Sequence, residues 1–150
     1  MHPTAARLAQ RLSQQGLEIE VTTLSDSART AALAASALGV EVGQIVKSLV
    51  FLRADEPVLV LCAGDRRVDA ERLGLEPAPA DRVRAVTGFS IGGVPPLGHD
   101  APLATTVDES LRRFDFVWAA AGTPHDVFGI DTESLIAAIP GAVVTAVGAP

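Results

Sequence analysis

In Ile45-Val46-Lys47-Ser48-Leu49-Val50-Phe51-Leu52 apolar side chains occupy both two-residue phases, the pattern of a strand buried at the centre of a sheet. Arg53-Ala54-Asp55-Glu56-Pro57 supplies a turn and Val58-Leu59-Val60-Leu61-Cys62 a second strand, so the two runs read as a β-hairpin. One charge interrupts the first run. Lysine and arginine together number 12, and Lys47 is the only lysine among them. By two-residue periodicity it shares a face with Ile45, Leu49 and Phe51, and its ammonium emerges into whatever that face lines. An ammonium is a compact, strongly hydrated charge with three donors, suited to a narrow site and to a single phosphate or carbonyl oxygen. The ordinary alternative is a strand-end lysine whose stem covers apolar surface while its head reaches water.

Working outward, Thr4 can cap a helix to about Gln15, with Ala5, Leu8, Ala9 and Leu12 on one face and Gly16 as its stop. Leu17 to Thr23 alternates like a strand. Ser27 or Asp26 can start a second helix whose buried stripe is Ala28, Ala31, Ala32, Ala35 and Leu38, ended by Gly39. Beyond the hairpin, Asp69 and Asp81 begin two short helices, the second behind the breaker Pro77-Ala78-Pro79. The run from Gly88 to His99 is too rich in Gly and Pro for regular structure and reads as a shaped loop. Leu103 to Val107 is a strand, Asp108 caps a short helix through Arg113, and Phe116 to Ala121 is a buried strand. After the loop Gly122-Thr123-Pro124-His125 come a strand from Val127 to Ile130, a helix to about Ile139 capped by Asp131 or Thr132, and a closing strand from Ala142 to Val147. Short strands interleaved with short helices place the chain in the α/β class of α+β type: one domain over 1–150, a mixed β-sheet with short flanking helices.

The 150 residues suffice for one hydrophobic core, and 48% hydrophobic with 20% charged residues is the composition of a folded globular chain. Tyr is absent, so that core is mostly Ala, Val, Leu and Ile. The lone cysteine, Cys62, excludes an internal disulfide and any multi-cysteine metal site, and its apolar run makes it a buried hydrophobe. No apolar signal core and no run of membrane-spanning length occurs, so a cytoplasmic protein with no membrane association is expected. A formal net charge of −6 argues against broad nucleic-acid binding, DNA included, although not against a site that grips one end of an RNA. Without a heptad seam, a monomer is expected.

No zinc-type spacing, Walker loop, GxGxxG fingerprint or GxSxG elbow is present, and neither a metal nor a cofactor is expected. Ser48 and Ser90 coexist with His99 and His125, but nothing in their spacing favours a serine hydrolase. Asp65 with Arg66-Arg67 reads as a solvated turn, or as a place to meet an RNA acceptor stem. Gly92-Gly93-Val94-Pro95-Pro96 contains a GxxxP element, in which glycines allow close backbone approach and prolines keep the loop rigid.

Taken with the run around Lys47 and with Ala119-Ala120-Ala121-Gly122-Thr123-Pro124-His125, this order of motifs resembles the YbaK and prolyl-tRNA-synthetase-associated domain family of aminoacyl-tRNA deacylases. The resemblance covers nearly the whole chain. It implies a free-standing editing enzyme, similar to Cys-tRNA(Pro) or Ala-tRNA(Pro) deacylases, that hydrolyses the ester of a mischarged tRNA. Lys47 matches the family's essential lysine. Gly92 and Pro96, with Gly93, Val94 and Pro95 between them, match the loop that shapes the amino-acid pocket. Gly98 completes that loop, and Gly122 matches a glycine that contributes a pocket wall. Ile45, Leu49, Phe51, Ile91 and Val94 are candidate walls, and His99 and His125 are candidate pocket-lining, RNA-contacting or general-base residues.

In the resembled family the terminal ribose hydroxyl of the substrate, or a substrate thiol, assists hydrolysis. The expected partners are therefore the aminoacylated 3′ end of a tRNA, that for proline first, and an aminoacyl-tRNA synthetase. One methylene is worth only about 1–3 kcal/mol, which is why synthetases recruit a second sieve that accepts the smaller error; the residues leave alanine, cysteine, serine, threonine and 2-aminobutyrate open, and members of the resembled family differ in that choice. Two other readings are a non-catalytic module that binds an amino acid, a nucleotide or a tRNA end beside a synthetase, and a hydrolase of another ester that uses Ser or His.

Overall fold

The computed structural model describes residues 2–25 and 30–150. Its helices and turns are largely fixed by local chemistry. The first helix, α1 (Pro3–Gln14), begins earlier than a Thr4 cap would allow: His2 is the N-cap, its ring Nδ1 accepting from the Thr4 N–H at 3.0 Å, with Pro3 in the first turn. Gly16 takes φ 89° after the last turn. The strand expected from Leu17 is shorter, β1 (Val21–Thr23), while Leu17 and Ile19 pack half-buried on the core without a ladder. The second helix is α2 (Ala31–Leu38), capped by Thr30 Oγ1 and closed by left-handed Gly39. The expected start at Asp26 or Ser27, and Ala28 of its stripe, lie outside the described residues.

The hairpin forms as β2 (Val46–Arg53) and β3 (Glu56–Ala63), in register from Val46↔Ala63 to Arg53↔Glu56. Only Ala54-Asp55 turns, both at positive φ (48° and 69°), the backbone that lets a two-residue loop follow strand twist. There follow β4 (Arg67–Val68), α3 (Ala70–Leu73) capped by Asp69, β5 (Glu76–Pro77) and α4 (Ala80–Thr87). The N-cap of α4 is Pro79 rather than Asp81, which instead places its carboxylate in the first turn. Next are β6 (Ala104–Asp108), a 3-10 turn (Glu109–Arg113) capped by Asp108, β7 (Phe116–Ala120), β8 (Asp126–Asp131), α5 (Thr132–Ala138) capped by Asp131, β9 (Val143–Thr145) and β10 (Gly148–Ala149).

The strands form a mixed five-stranded sheet in the order β5-β2-β3-β6-β9, an antiparallel three-stranded sheet β1-β8-β7, and the pair β10-β4. In the larger sheet β3, β6 and β9 run parallel. Val46 and Val50 of β2 join the main core with Leu8 and Leu12 of α1, Leu59 and Leu61 of β3, and Leu135 of α5. Phe51 and Leu49 point to the opposite face, into a smaller cluster with Val60 and Val147. Two-residue alternation puts Lys47 on that second face. Among the described residues the two larger sheets meet at the parallel bridge Ile45↔Trp118 and part beyond it.

Candidate functional site

Where the sheets part, a cavity of about 660 Å3 opens along the edge of β2, within the range of small-ligand sites. One end of β2 is covered by β5 through Phe51↔Pro77 and Leu52↔Glu76, the other by the bridge at Ile45. Lys47 to Val50 line the stretch between, facing Ala119, Ala120 and Trp118 of β7. The alanine-rich start of α2 forms one wall with Ala31 and Ala34. Gly64 permits that approach, since a Cβ there would stand 2.3 Å from the Val42 carbonyl oxygen and 2.8 Å from the Ala31 methyl.

Lys47 Nζ donates to the main-chain carbonyl of Arg66, which holds the ammonium at the β3 end of the cavity. Arg66 lies in a braced turn. Asp65 receives two bonds from Arg113, at 2.7 and 2.9 Å, and that guanidinium stands 5.0 Å over the Phe114 ring. The hydrogen bonds from Arg113 hold the Asp65 carboxyl below the usual range. This ion pair occupies the cluster that sequence reading offered as an RNA contact. Cys62, opposite Lys47 in register, is fully buried, and burial pushes its thiol up to about 11, against the pull of Lys47. It is inert at neutral pH.

The glycine-proline loop closes the far side. Ile91, Gly92 and Val94 line the cavity. Gly93 is buried with no room for a side chain, a Cβ there falling 2.8 Å from the Gly122 oxygen and from Thr123 Cα. The loop is thus seated, backbone on backbone, on the turn after β7. That turn is held by Asp126, which accepts from Thr23 Oγ1 at 2.6 Å and Thr123 Oγ1 at 2.7 Å. Burial raises the Asp126 carboxyl, but those two bonds together with nearby positive charge outweigh it and hold it low.

Ile45, Lys47, Phe51, Gly92 and Val94 therefore come together at the cavity, with Leu49 and Ile91. Gly93, Pro95, Pro96, Gly98, His99 and Gly122 do not line it and instead shape the loop from behind. Pro95 and Pro96 are buried. A Cβ on Gly98 would meet Leu8 at 2.6 Å, and the Gly98 carbonyl accepts from Arg11. Gly122, at φ 104°, packs under Phe89 and Thr4. His99, for which lining the pocket was one of several candidate roles, does not line the cavity: its Nε2–H donates to the Pro95 carbonyl at 2.7 Å, its ring meets Phe89 edge-on, and burial lowers its pKa, so it staples the loop. His125 is exposed and also off the cavity. Sequence reading passed over Ser48, Gly64, Trp118, Thr123 and Pro124 as cavity residues. Only the alanine run of α2 signalled a close approach, without saying to what.

Comparison with known proteins adds four findings. Residues 25–138 match the profile of the family described as "Aminoacyl-tRNA editing domain". The chain is 31% identical over 130 residues to the uncharacterized protein YwhH of Bacillus subtilis, covering 82% of this chain and 83% of that one. It is 29% identical over 136 residues to the proline--tRNA ligase of Streptococcus equi subsp. equi, of which it spans 22%. A crystal structure presented as a candidate trans-editing enzyme for prolyl tRNA synthetase superposes with a TM-score of 0.92 at 41% identity, covering 100% of this chain and 99% of that one.

Proposed function

Because this chain belongs to the aminoacyl-tRNA editing domain family, we propose that it is a trans-editing deacylase of the cytoplasm, cleaving the ester of tRNA for proline charged with a small wrong amino acid. The observation that carries this reading is a single ammonium, Lys47, in an otherwise largely apolar cavity with a glycine loop on its far side. Water adds to the ester carbonyl, negative charge develops on oxygen, and the C–O bond to the ribose breaks with the ribose oxygen taking a proton. Lys47 has donors to spare beyond its bond to Arg66 and stabilises the developing charge or holds the terminal phosphate. Among the described residues neither a carboxylate nor an imidazole lines the cavity. The proton of the attacking water is relayed through the substrate's neighbouring ribose hydroxyl, which takes it up while giving its own proton to the leaving ribose oxygen. A synthetase supplies RNA-binding surface that a chain of net charge −6 lacks.

Release of radiolabelled amino acid from Ala-, Cys- and Ser-tRNA for proline tests this. Wild type is expected to deacylate at least one, and folded Lys47→Ala to lose about 100-fold or more, the scale of removing one transition-state donor. An unimpaired Lys47→Ala would defeat the proposed role of the lysine. No release from any substrate would favour the binding-module reading.

A further inference from the structure

An aminoacyl group brings a charge problem into this cavity. Its α-amino group is largely an ammonium near neutral pH, and an ammonium taken from water needs acceptors. Among the described residues no Asp or Glu lines the cavity, and the one charged side chain there, Lys47, has the same sign. Three side-chain hydroxyls line it, on Thr30, Ser48 and Thr123. Thr30 Oγ1 is engaged as the cap of α2, accepting from the Leu33 N–H at 3.1 Å. Thr123 Oγ1 donates to Asp126 and accepts from the His125 and Asp126 N–H groups. Ser48 Oγ differs: among the described residues it is the only buried side-chain nitrogen or oxygen without a hydrogen-bond partner.

The main chain of the same residue faces the open edge. A two-residue turn makes Arg53 and Glu56 the first hydrogen-bonded pair of the hairpin. Alternation then aims the N–H and C=O of Lys47, Leu49 and Phe51 at β3, and those of Ser48 and Val50 at the opposite edge. Two observed bonds fit this phase, Gly64 N–H to the Ile45 carbonyl at 2.8 Å and Ala78 N–H to the Val50 carbonyl at 3.3 Å. Ser48 falls in the gap between the pairing with β5 and the bridge to β7.

We propose that Ser48 is the α-ammonium subsite of this cavity. Its main-chain carbonyl and its Oγ, brought to the edge by one rotamer step about χ1, each accept one ammonium proton. The inference rests on the aminoacyl-ester reading above and adds a division of charge to it. Ser48 and Lys47 project from opposite faces of β2, so the ammonium is held on one side and the ester and ribose are left to Lys47 on the other.

The only tryptophan, Trp118, lines the cavity, so its fluorescence reads occupancy without turnover. The probes are 3′-alanylamido-3′-deoxyadenosine, whose amide replaces the labile ester, and its N-acetyl derivative, each titrated into the full chain. Wild type is expected to bind the free amine at least about tenfold more tightly than the acetylated probe. Ser48→Ala is expected to reduce that ratio to about twofold or less, and Ser48→Thr, which keeps the hydroxyl, to preserve it. Equal binding of both probes by wild type, or a tenfold ratio surviving in Ser48→Ala, overturns the subsite and leaves the aminoacyl reading standing. Binding of neither probe overturns the cavity as an aminoacyl site, and the subsite with it.

Discussion

Gly92 and Gly93 are neighbours with different reasons to be glycine. Gly92 sits at φ 91°, and a methyl added there would meet nothing nearer than Pro124 at 4.0 Å, so its requirement is conformational. Gly93 has no such torsion but lies against the backbone of Gly122 and Thr123, which cannot swing aside as a side chain would. Gly93→Ala is therefore expected to destabilise the protein by about 1–3 kcal/mol, the scale of overpacking a buried site, measured by urea unfolding with an unchanged m-value. Wild-type stability in that variant would mean that the loop is not seated on the turn. Both glycines were legible in the sequence as parts of one loop. What separates them was not, because the atoms that crowd Gly93 belong to a segment distant along the chain.

The loop from Gly88 to His99 is an element without regular structure that is nonetheless tightly held. Thr87 Oγ1 donates to the Val83 carbonyl and accepts from the Phe89 N–H at the loop's start, His99 ties its end to Pro95, and Arg11 of α1 reaches the Gly98 carbonyl. His99 gives this element a pH dependence. Its pKa is lowered in the folded protein, chiefly by burial, so the unfolded chain binds the proton more readily. The stability it contributes is fully present above the unfolded value of about 6.5 and is lost as pH falls from there through the folded value. Thermal melts between pH 7.5 and 5 are expected to show a falling Tm, with a shallower fall for His99→Gln, whose amide can still donate to Pro95. Equal slopes would show that His99 does not titrate with folding. Sequence reading placed this histidine correctly in the loop and left its role open, since an imidazole beside Gly and Pro looks the same whether it faces a ligand or a carbonyl.

At the scale of the whole molecule, the cavity opens where the two sheets, joined among the described residues by the bridge Ile45↔Trp118, diverge and leave part of the β2 edge to line it. The acidic balance of the chain bears on how an RNA end would reach it. Several arginines are already paired with carboxylates, including Arg113 with Asp65, Arg112 with Glu133 and Arg82 with Asp55. Binding of tRNA by the isolated chain is therefore expected to be weak, with few phosphates neutralised. A plot of log K against log salt should have a slope shallower than about −3, steepening when a synthetase is added. A steep slope for the chain alone would place a basic RNA surface on this domain and remove the need for a partner. The sequence by itself determined the hairpin, the caps at Asp69 and Asp108, the stops at Gly16 and Gly39, and the conspicuous Lys47, because each is written in a few consecutive residues. Only the tertiary structure decided that β1 is short, that His99 turns inward, that Asp65 is paired, and that Ser48, Gly64 and Trp118 line one cavity with Lys47. Those outcomes depend on which distant segments meet, and hydrophobic burial selects that meeting over the whole chain at once.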